Sequence, residues 1–380
     1  MEFITNPIYV LTVLCLLIIL SIYAGNTRFG KQFGPALLVI VFGAVMANLG
    51  LIPTASNSIE LYSSIFSYIA PISIFYLLLG VNLSSLKQAG LPMIGLFLIG
   101  SLATTAGILV SWFIFSPAEV LGEKAAIIAG MLTGTYTGGS INFNAVALEY
   151  GFQENGVLYA GTIAVDNVVT TLWIVVTLAL PHFMQRLWKA KTRKTEDLKT
   201  TETSAEEEKG MNLHSMAWLA FLGIGGFLFS EFLSSLLPGV PFILILSTLG
   251  ILLAQIKFVT RLKGSHDLGL YLVYLFLAVI GAYCELSAVA ELKTVGVTLI
   301  LFTGVAVILH GLLTILLGGL VYRDWEMIAI VSQANIGGGT TAIALAETFK
   351  RKELALPAIL VGTLGNALGT YLGFLVVYIL

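Results

Sequence analysis

The sequence predicts an all-α polytopic membrane protein, built as two inverted repeats of five transmembrane helices, each with a broken or re-entrant Gly-rich helix. Three observations predict it. Of the 380 residues, 57% are hydrophobic and only 11% are Asp, Glu, Lys or Arg, against about 25% charged in soluble domains. Apolar runs of about 18 residues or more recur along the chain, each long enough for a bilayer core of about 30 Å. Two Gly-rich polar interruptions lie 200 residues apart, at Gly138-Gly139 and Gly338-Gly339. Soluble enzymes, nucleic-acid binders and disordered chains are excluded, and the net charge of -2 gives no sign of a nucleic-acid partner.

The apolar segments fall at roughly 7–24, 34–52, 62–80, 91–115, 125–148, 157–181, 213–237, 241–257, 268–285, 295–321, 325–346 and 355–380. Helix is the form each must take, because backbone groups in hydrocarbon have to be satisfied within their own segment. The first reads as a membrane helix and not as a cleaved signal, since Arg28 and Lys31 follow the apolar stretch. Cys15 and Cys284 fall in or beside apolar segments, so no disulfide is expected. Twelve charges crowd into residues 189–209, which reads as a solvated linker. The expected units are a first membrane repeat over 1–188, a charged cytoplasmic linker over 189–212 and a second membrane repeat over 213–380.

The fifth and eleventh segments should break in the middle. Each interior Gly costs about 1 kcal/mol relative to Ala in a helix, and flanking Asn, Thr and Ser compete for local backbone. At the 200-residue offset Ser140 falls opposite Thr340, Asp166 opposite Asn366, and Thr170 opposite Thr370, which supports an internal duplication. If all twelve segments cross, Lys and Arg divide poorly between the two sides. If the two broken segments dip in and return, 17 of 19 basic residues share one side, leaving only Lys124 and Lys293 opposite. The positive-inside rule prefers the second arrangement. It places both termini outside, and we expect the cytoplasmic (inner) membrane of a prokaryote.

Few ionisable groups lie at membrane depth. Asp166, with Asn167, makes a polar pair in an apolar helix, and such a carboxylate marks an ion or substrate path or is capped by neighbours such as Thr162 or Thr170. Cations need hard oxygens. The candidates beside the breaks are Thr137, Gly138, Gly139, Ser140, Asn142 and Asn144, then Gln333, Asn335, Gly337, Gly338, Gly339, Thr340 and Thr341, with Asn366 as the uncharged counterpart of Asp166. Asp166 is the possible Na+ ligand. Each Asn or Gln could equally cap a half-helix, and the glycines could be close-packing surfaces alone. His310 could bond a neighbouring helix or carry a proton. Glu231 reads as interfacial and Lys350-Arg351-Lys352 as a topology anchor.

Gly138-Gly139-Ser140 and Gly337-Gly338-Gly339-Thr340, in inverted five-crossing halves, resemble the glutamate:sodium and citrate:sodium symporters, which carry Gly-Gly-x-Gly-type motifs at re-entrant tips. The match is partial, because Asn142 stands where a further Gly element would follow. Over nearly the whole chain the sequence is similar to the YjcL-like membrane proteins of unknown function, in the same superfamily as those symporters and the bile-acid/cation-proton antiporter-like transporters. The resemblance implies homodimers and an elevator movement of segments four to six and ten to twelve against the rest.

The expected function is ion-coupled (Na+ or H+) secondary transport of a small organic solute, a carboxylate such as an amino acid, small peptide or organic acid. The alternatives are a pore or murein-regulator-like protein and a non-transporting sensor. No enzyme is expected: the chain lacks His-Glu-x-x-His, Gly-x-Ser-x-Gly and a Walker loop. No cofactor is expected beyond the coupling ion, and the expected partners are the solute, the lipid bilayer and a second copy.

Overall fold

The computed structural model describes residues 4–28, 30, 34–188, 212–237, 239–284 and 292–380. Their regular structure is all helix, with no strand among the described residues. The charged linker, apart from Asn212, lies outside them, as does the side chain of Lys293. In chain order the long elements are α1 (Pro7–Gly25), α2 (Gly34–Asn48), α3 (Glu60–Leu78), α4 (Leu91–Phe115), α5a (Lys124–Gly138), α5b (Ser140–Glu149) and α6 (Gly156–Leu187). After the linker come α7 (Leu213–Leu236), α8 (Phe242–Leu253), α9 (Ser265–Ala282), α10 (Leu292–Val321), α11a (Trp325–Ile336), α11b (Gly338–Thr348) and α12 (Ala355–Ile379). Among the described residues, eight helices are long and apolar enough to cross a membrane.

Local chemistry explains the starts. Asn6 caps α1 by accepting from the Ile8 and Tyr9 amides at 2.9 and 3.2 Å, with Pro7 at the first helical position, where its missing N–H is harmless. Asn212 caps α7 and Asp324 caps α11a in the same way. In α3 the residues Ile65–Ile69 form a π-turn just before Pro71. That wider turn accommodates the ring that would otherwise clash with the preceding carbonyl.

Two elements are shorter than the sequence suggests. The apolar runs at 34–52 and 241–257 give helices of only 15 and 12 residues, about 22 and 18 Å at 1.5 Å per residue. Gly50 at φ 71° turns the chain after α2, and a cap at Ala254 closes α8. Hydrophobic content marked these ends too late, because Leu51, Ile52 and Ala254 are apolar residues used in turns.

The broken segments are hairpins that return to the side they left. A methyl group at Gly134 would lie 3.2 Å from the Asn142 backbone, whereas residues eight apart in a straight helix are about 12 Å apart. The chain therefore reverses at Gly139, whose φ of 110° only glycine adopts freely. In the second hairpin Gln333 Nε2 donates to Thr341 Oγ1 at 3.1 Å, across a turn at Gly338 with φ 79°. Lys124 bonds Asn155 across the mouth of the first hairpin. Arg351 closes the second, reaching Glu326 at 2.8 Å and Asp324 at 3.2 Å, and also bonding Glu353. Burial works against the Arg351 charge, but these three carboxylates outweigh it and push its pKa up.

The hairpins enter from opposite ends. Asn155 precedes α6, and Trp188 follows it. Trp325 at the start of α11a donates to the Trp188 carbonyl at 2.8 Å, and the Arg323 guanidinium lies 4.7 Å from the Trp188 ring centre. The 350–352 basic cluster, next to Asp324, therefore sits at the Trp188 end, and Lys124 at the other.

Helix α12 carries both tips. A methyl at Gly138 would lie 1.9 Å from the Gly365 carbonyl carbon, one at Gly369 2.3 Å from the Asn142 amide nitrogen, and one at Gly362 2.7 Å from Gly339. Gly365→Val should thus overpack the first tip and cost about 1–3 kcal/mol. Gly161→Ala on α6, with open space around it, should be neutral or mildly stabilising. Thermal unfolding of the two purified variants checks this; equal melting temperatures would contradict the close packing.

Candidate functional site

The site grows from the helix ends that the two breaks create. Four carbonyls at each helix C-terminus lack intrahelical partners. In α5a the Thr135 carbonyl accepts from Gly139 N at 2.7 Å, and that of Tyr136 from Thr104 Oγ1 at 2.9 Å. The Thr137 carbonyl faces Asn335 Nδ2 of the other hairpin at 3.5 Å, the limit of hydrogen-bond reach. Asn335 lies in the last turn of α11a. The C-terminal ends of α5a and α11a therefore meet.

The polar residues divide into those already committed and those with free capacity. Asn142 is committed: Nδ2 donates to the Gly365 carbonyl at 3.2 Å, and Oδ1 accepts from Thr370 Oγ1 at 2.8 Å, which fastens α5b to α12. Asn144 Oδ1 accepts from the Tyr159 hydroxyl. Gln333 bridges Thr177 on α6, at 3.1 Å, and Thr341 on α11b. Thr137 Oγ1 donates to the Thr133 carbonyl within its own helix.

His310 is also fully engaged. Its Nδ1 lies 3.0 Å from the Gly100 carbonyl, so the network assigns the proton there. Nε2 then accepts from the Ser332 hydroxyl at 2.9 Å, and Ser332 Oγ accepts from Trp173 Nε1 at 3.0 Å. Thr104 closes the cluster at 2.9 Å from Nδ1. A neutral imidazole satisfies every one of these contacts, so the geometry matches the helix-bonding reading of His310.

Free capacity remains at three places. Asn335 is fully buried and donates to Ser101 Oγ at 3.0 Å, yet its Oδ1 has no partner. The buried Tyr136 hydroxyl faces the Asp166 carboxylate and has no other partner. Asp166 itself is half-buried on α6, facing that hydroxyl and taking a long 3.4 Å contact from Thr170. Leaving a buried polar group unpaired costs about 1–3 kcal/mol, so such groups need an explanation.

The remaining expected residues lie close by. Gly139 abuts Asn366, whose Oδ1 would be 3.9 Å from a methyl placed there. Ser140 and Thr340, in the first turns of α5b and α11b, are exposed. Gly337 packs on Gln333 and Thr341, and Asn167 is half-buried, with its carbonyl accepting from Thr171. Sequence reasoning missed Tyr136, Ser101, Thr104 and the glycines of α12. Tyr136 stands inside the polar run before the break and could have been read there. The Gly362, Gly365, Gly369 and Gly373 spacing of three to four residues was a legible helix-contact signal.

Because Asn142 joins α5b to α12, Asn142→Ala should strand buried partners and cost about 1–3 kcal/mol. The loss of melting temperature should be the same in sodium and potassium buffers. A loss seen only in sodium would instead make Asn142 an ion ligand.

Three likenesses to known proteins accompany this geometry. The family described as "Protein of unknown function (DUF819)" matches residues 9–380. The uncharacterized membrane protein YjcL of Bacillus subtilis (strain 168) is 28% identical over 365 residues, covering 91% of this chain and 89% of that protein. Among solved structures, the sodium proton antiporter MjNhaP1 from Methanocaldococcus jannaschii aligns over 97% of this chain and 99% of its own, with 15% identity and a TM-score of 0.48.

Proposed function

The chain belongs to the DUF819 family, and we propose that it is an ion-coupled secondary transporter of a small organic solute. The observation that carries this reading is the meeting of two hairpin tips, entering from opposite ends, on one turn of α12 between Gly362 and Gly365. Irregular backbone at membrane depth is tolerated where it is buried by protein or lines a cavity, and discontinuous helices of this kind serve transporters as ion and substrate sites.

The electrostatics suit a cation at one spot and an anion at another. The C-termini of α5a and α11a present the negative ends of two helix dipoles, close to the Asp166 carboxylate. The Thr137 carbonyl, Asn335 Oδ1 and the Tyr136 hydroxyl add hard oxygens with unused capacity. A Na+ or H+ there neutralises Asp166, which otherwise costs at least about 2.5–3.5 kcal/mol at membrane depth. The N-termini of α5b and α11b offer amides and positive dipole ends beside exposed Ser140 and Thr340, which suits a solute carboxylate. Ion binding first, solute second, then movement is the order these charges favour.

Helices α4–α6 and α10–α12 enclose the tips, while α1–α3 and α7–α9 pack among themselves, as in the contacts of Gly43 with Ala278 and of Gly281 with Ile40. We read the first set as the moving core of an elevator, the second as its scaffold, and the two halves as an inverted duplication. The basic Trp188 end is then cytoplasmic.

Melting of the detergent-purified protein in NaCl against KCl tests the ion site. At a hundredfold excess over Kd a ligand of the folded state stabilises it by about 2.7 kcal/mol. We expect a sodium-specific rise that Asp166→Asn abolishes. No cation effect in either protein removes sodium coupling, and failure of solute counterflow in liposomes of the pure protein removes transport.

A further inference from the structure

A cavity of about 560 Å³ opens at the Asn155 end of the molecule, well away from the 350–352 basic cluster. One wall comes from α3, α7, the start of α8 and the residue after α9; the other comes from the end of α5b and the turn after it. It therefore lies on the seam between the proposed scaffold and core.

Its chemistry is one-sided. Glu149, Glu154 and Glu231 line it, and no Lys or Arg does among the described residues. Glu149 is fixed in place, with Oε2 accepting from the Ile243 amide at the start of α8 at 2.9 Å. Gln153, another lining residue, is only 8% exposed, and its buried Oε1 has no hydrogen-bond partner. Three carboxylates and one unpaired amide oxygen thus belong to residues of its wall. Tyr68 and Tyr283 add aromatic rings, whose faces attract cations.

The volume argues against a bare metal ion. Pockets of about 300–1,000 Å³ hold organic molecules, and among the described residues no three acidic, His or Cys groups converge as a metal site would need. An ammonium group on an organic body fits all of these features: carboxylates for its charge, an amide oxygen for one N–H, and rings for the flanking carbon.

We propose that this cavity is an outer vestibule that captures the ammonium group of the transported solute. This rests on the transport reading and narrows it, since the solute then carries an amine, as an amino acid or small peptide does and a simple organic acid does not. Carboxylates lining one cavity raise the local cation concentration and repel anions, an effect worth about 10–1,000-fold in encounter rate.

The test is a charge-selective labelling rate. In a chain with Cys15→Ser and Cys284→Ser, Ser234→Cys places a thiol in the cavity wall, and Ala118→Cys an exposed reference at the same end. Trimethylammonium-ethyl and sulfonato-ethyl methanethiosulfonate are reacted with each. Normalised to the reference, the cationic reagent should label the cavity thiol at least about tenfold faster. The preference should collapse in high salt and fall in Glu231→Gln alone, a change on an exposed face that keeps folding intact. Alaninamide should protect the thiol and propionate should not, and Gln153→Leu should weaken that protection while leaving the charge preference.

A ratio equal to the reference, one indifferent to Glu231→Gln and salt, or equal protection by propionate overturns the proposal. A charge-selective vestibule in a protein that shows no counterflow would leave the vestibule standing and overturn transport, so the two failures are distinct.

Discussion

Everything in this molecule depends on how two interrupted helices are tolerated inside an apolar environment. A hairpin tip at membrane depth exposes amides and carbonyls that no lipid can satisfy. The protein solves this by bringing backbone against backbone. Gly138 lies on Gly365 and Gly339 on Gly362, so close that a methyl group on Gly365 or Gly362 would fall 2.6 or 2.7 Å from the opposing glycine. Side chains on α12 would hold the tips away and open both ends to hydrocarbon. The same helix then supplies Thr370, and its Gly365 carbonyl, to Asn142, so contact and hydrogen bonding fasten the first hairpin together.

Once the tips are anchored, the buried polar side chains sort themselves by whether their bonds are complete. The His310, Ser332 and Trp173 chain, with Thr104 and Gly100, closes on itself and ties α4, α6, α10 and α11a into one body. A complete network of this kind rigidifies without offering anything to a ligand. Asn335, Tyr136 and Asp166 are different, because each keeps unused capacity within the same small region. They are held in position by the closed network around them: Asn335 through Ser101, and the Tyr136 backbone through Thr104. A binding site needs that combination of fixed frame and open valence.

The two ends of the molecule are chemically unlike. At one, Arg351 gathers Asp324, Glu326 and Glu353 across the mouth of the second hairpin, beside the Trp188 and Trp325 rings. At the other, a single Lys124 to Asn155 bond spans the first hairpin, and a cavity lined with carboxylates adjoins it. The charge asymmetry between the two ends thus gives each mouth its own electrostatic character.

The sequence by itself determined the membrane class, the helical form and the two breaks, because these follow from composition and from the local cost of paired glycines. The dip-and-return path of the broken segments was also legible, through the charge count that it rationalises. Asp166 stood out because a carboxylate is costly where it sits. Which asparagine holds the fold and which has an oxygen to spare was not legible. Asn142 and Asn335 look alike in the chain, and only the packing of α12 and α4 engages the first fully and leaves the second half-used. Likewise, Glu149, Glu154 and Glu231 are scattered through the sequence and become one surface only when α5b and α7 are brought together. Local rules fix what each segment is, whereas partnership between distant residues is set by long-range packing that no short window of residues contains.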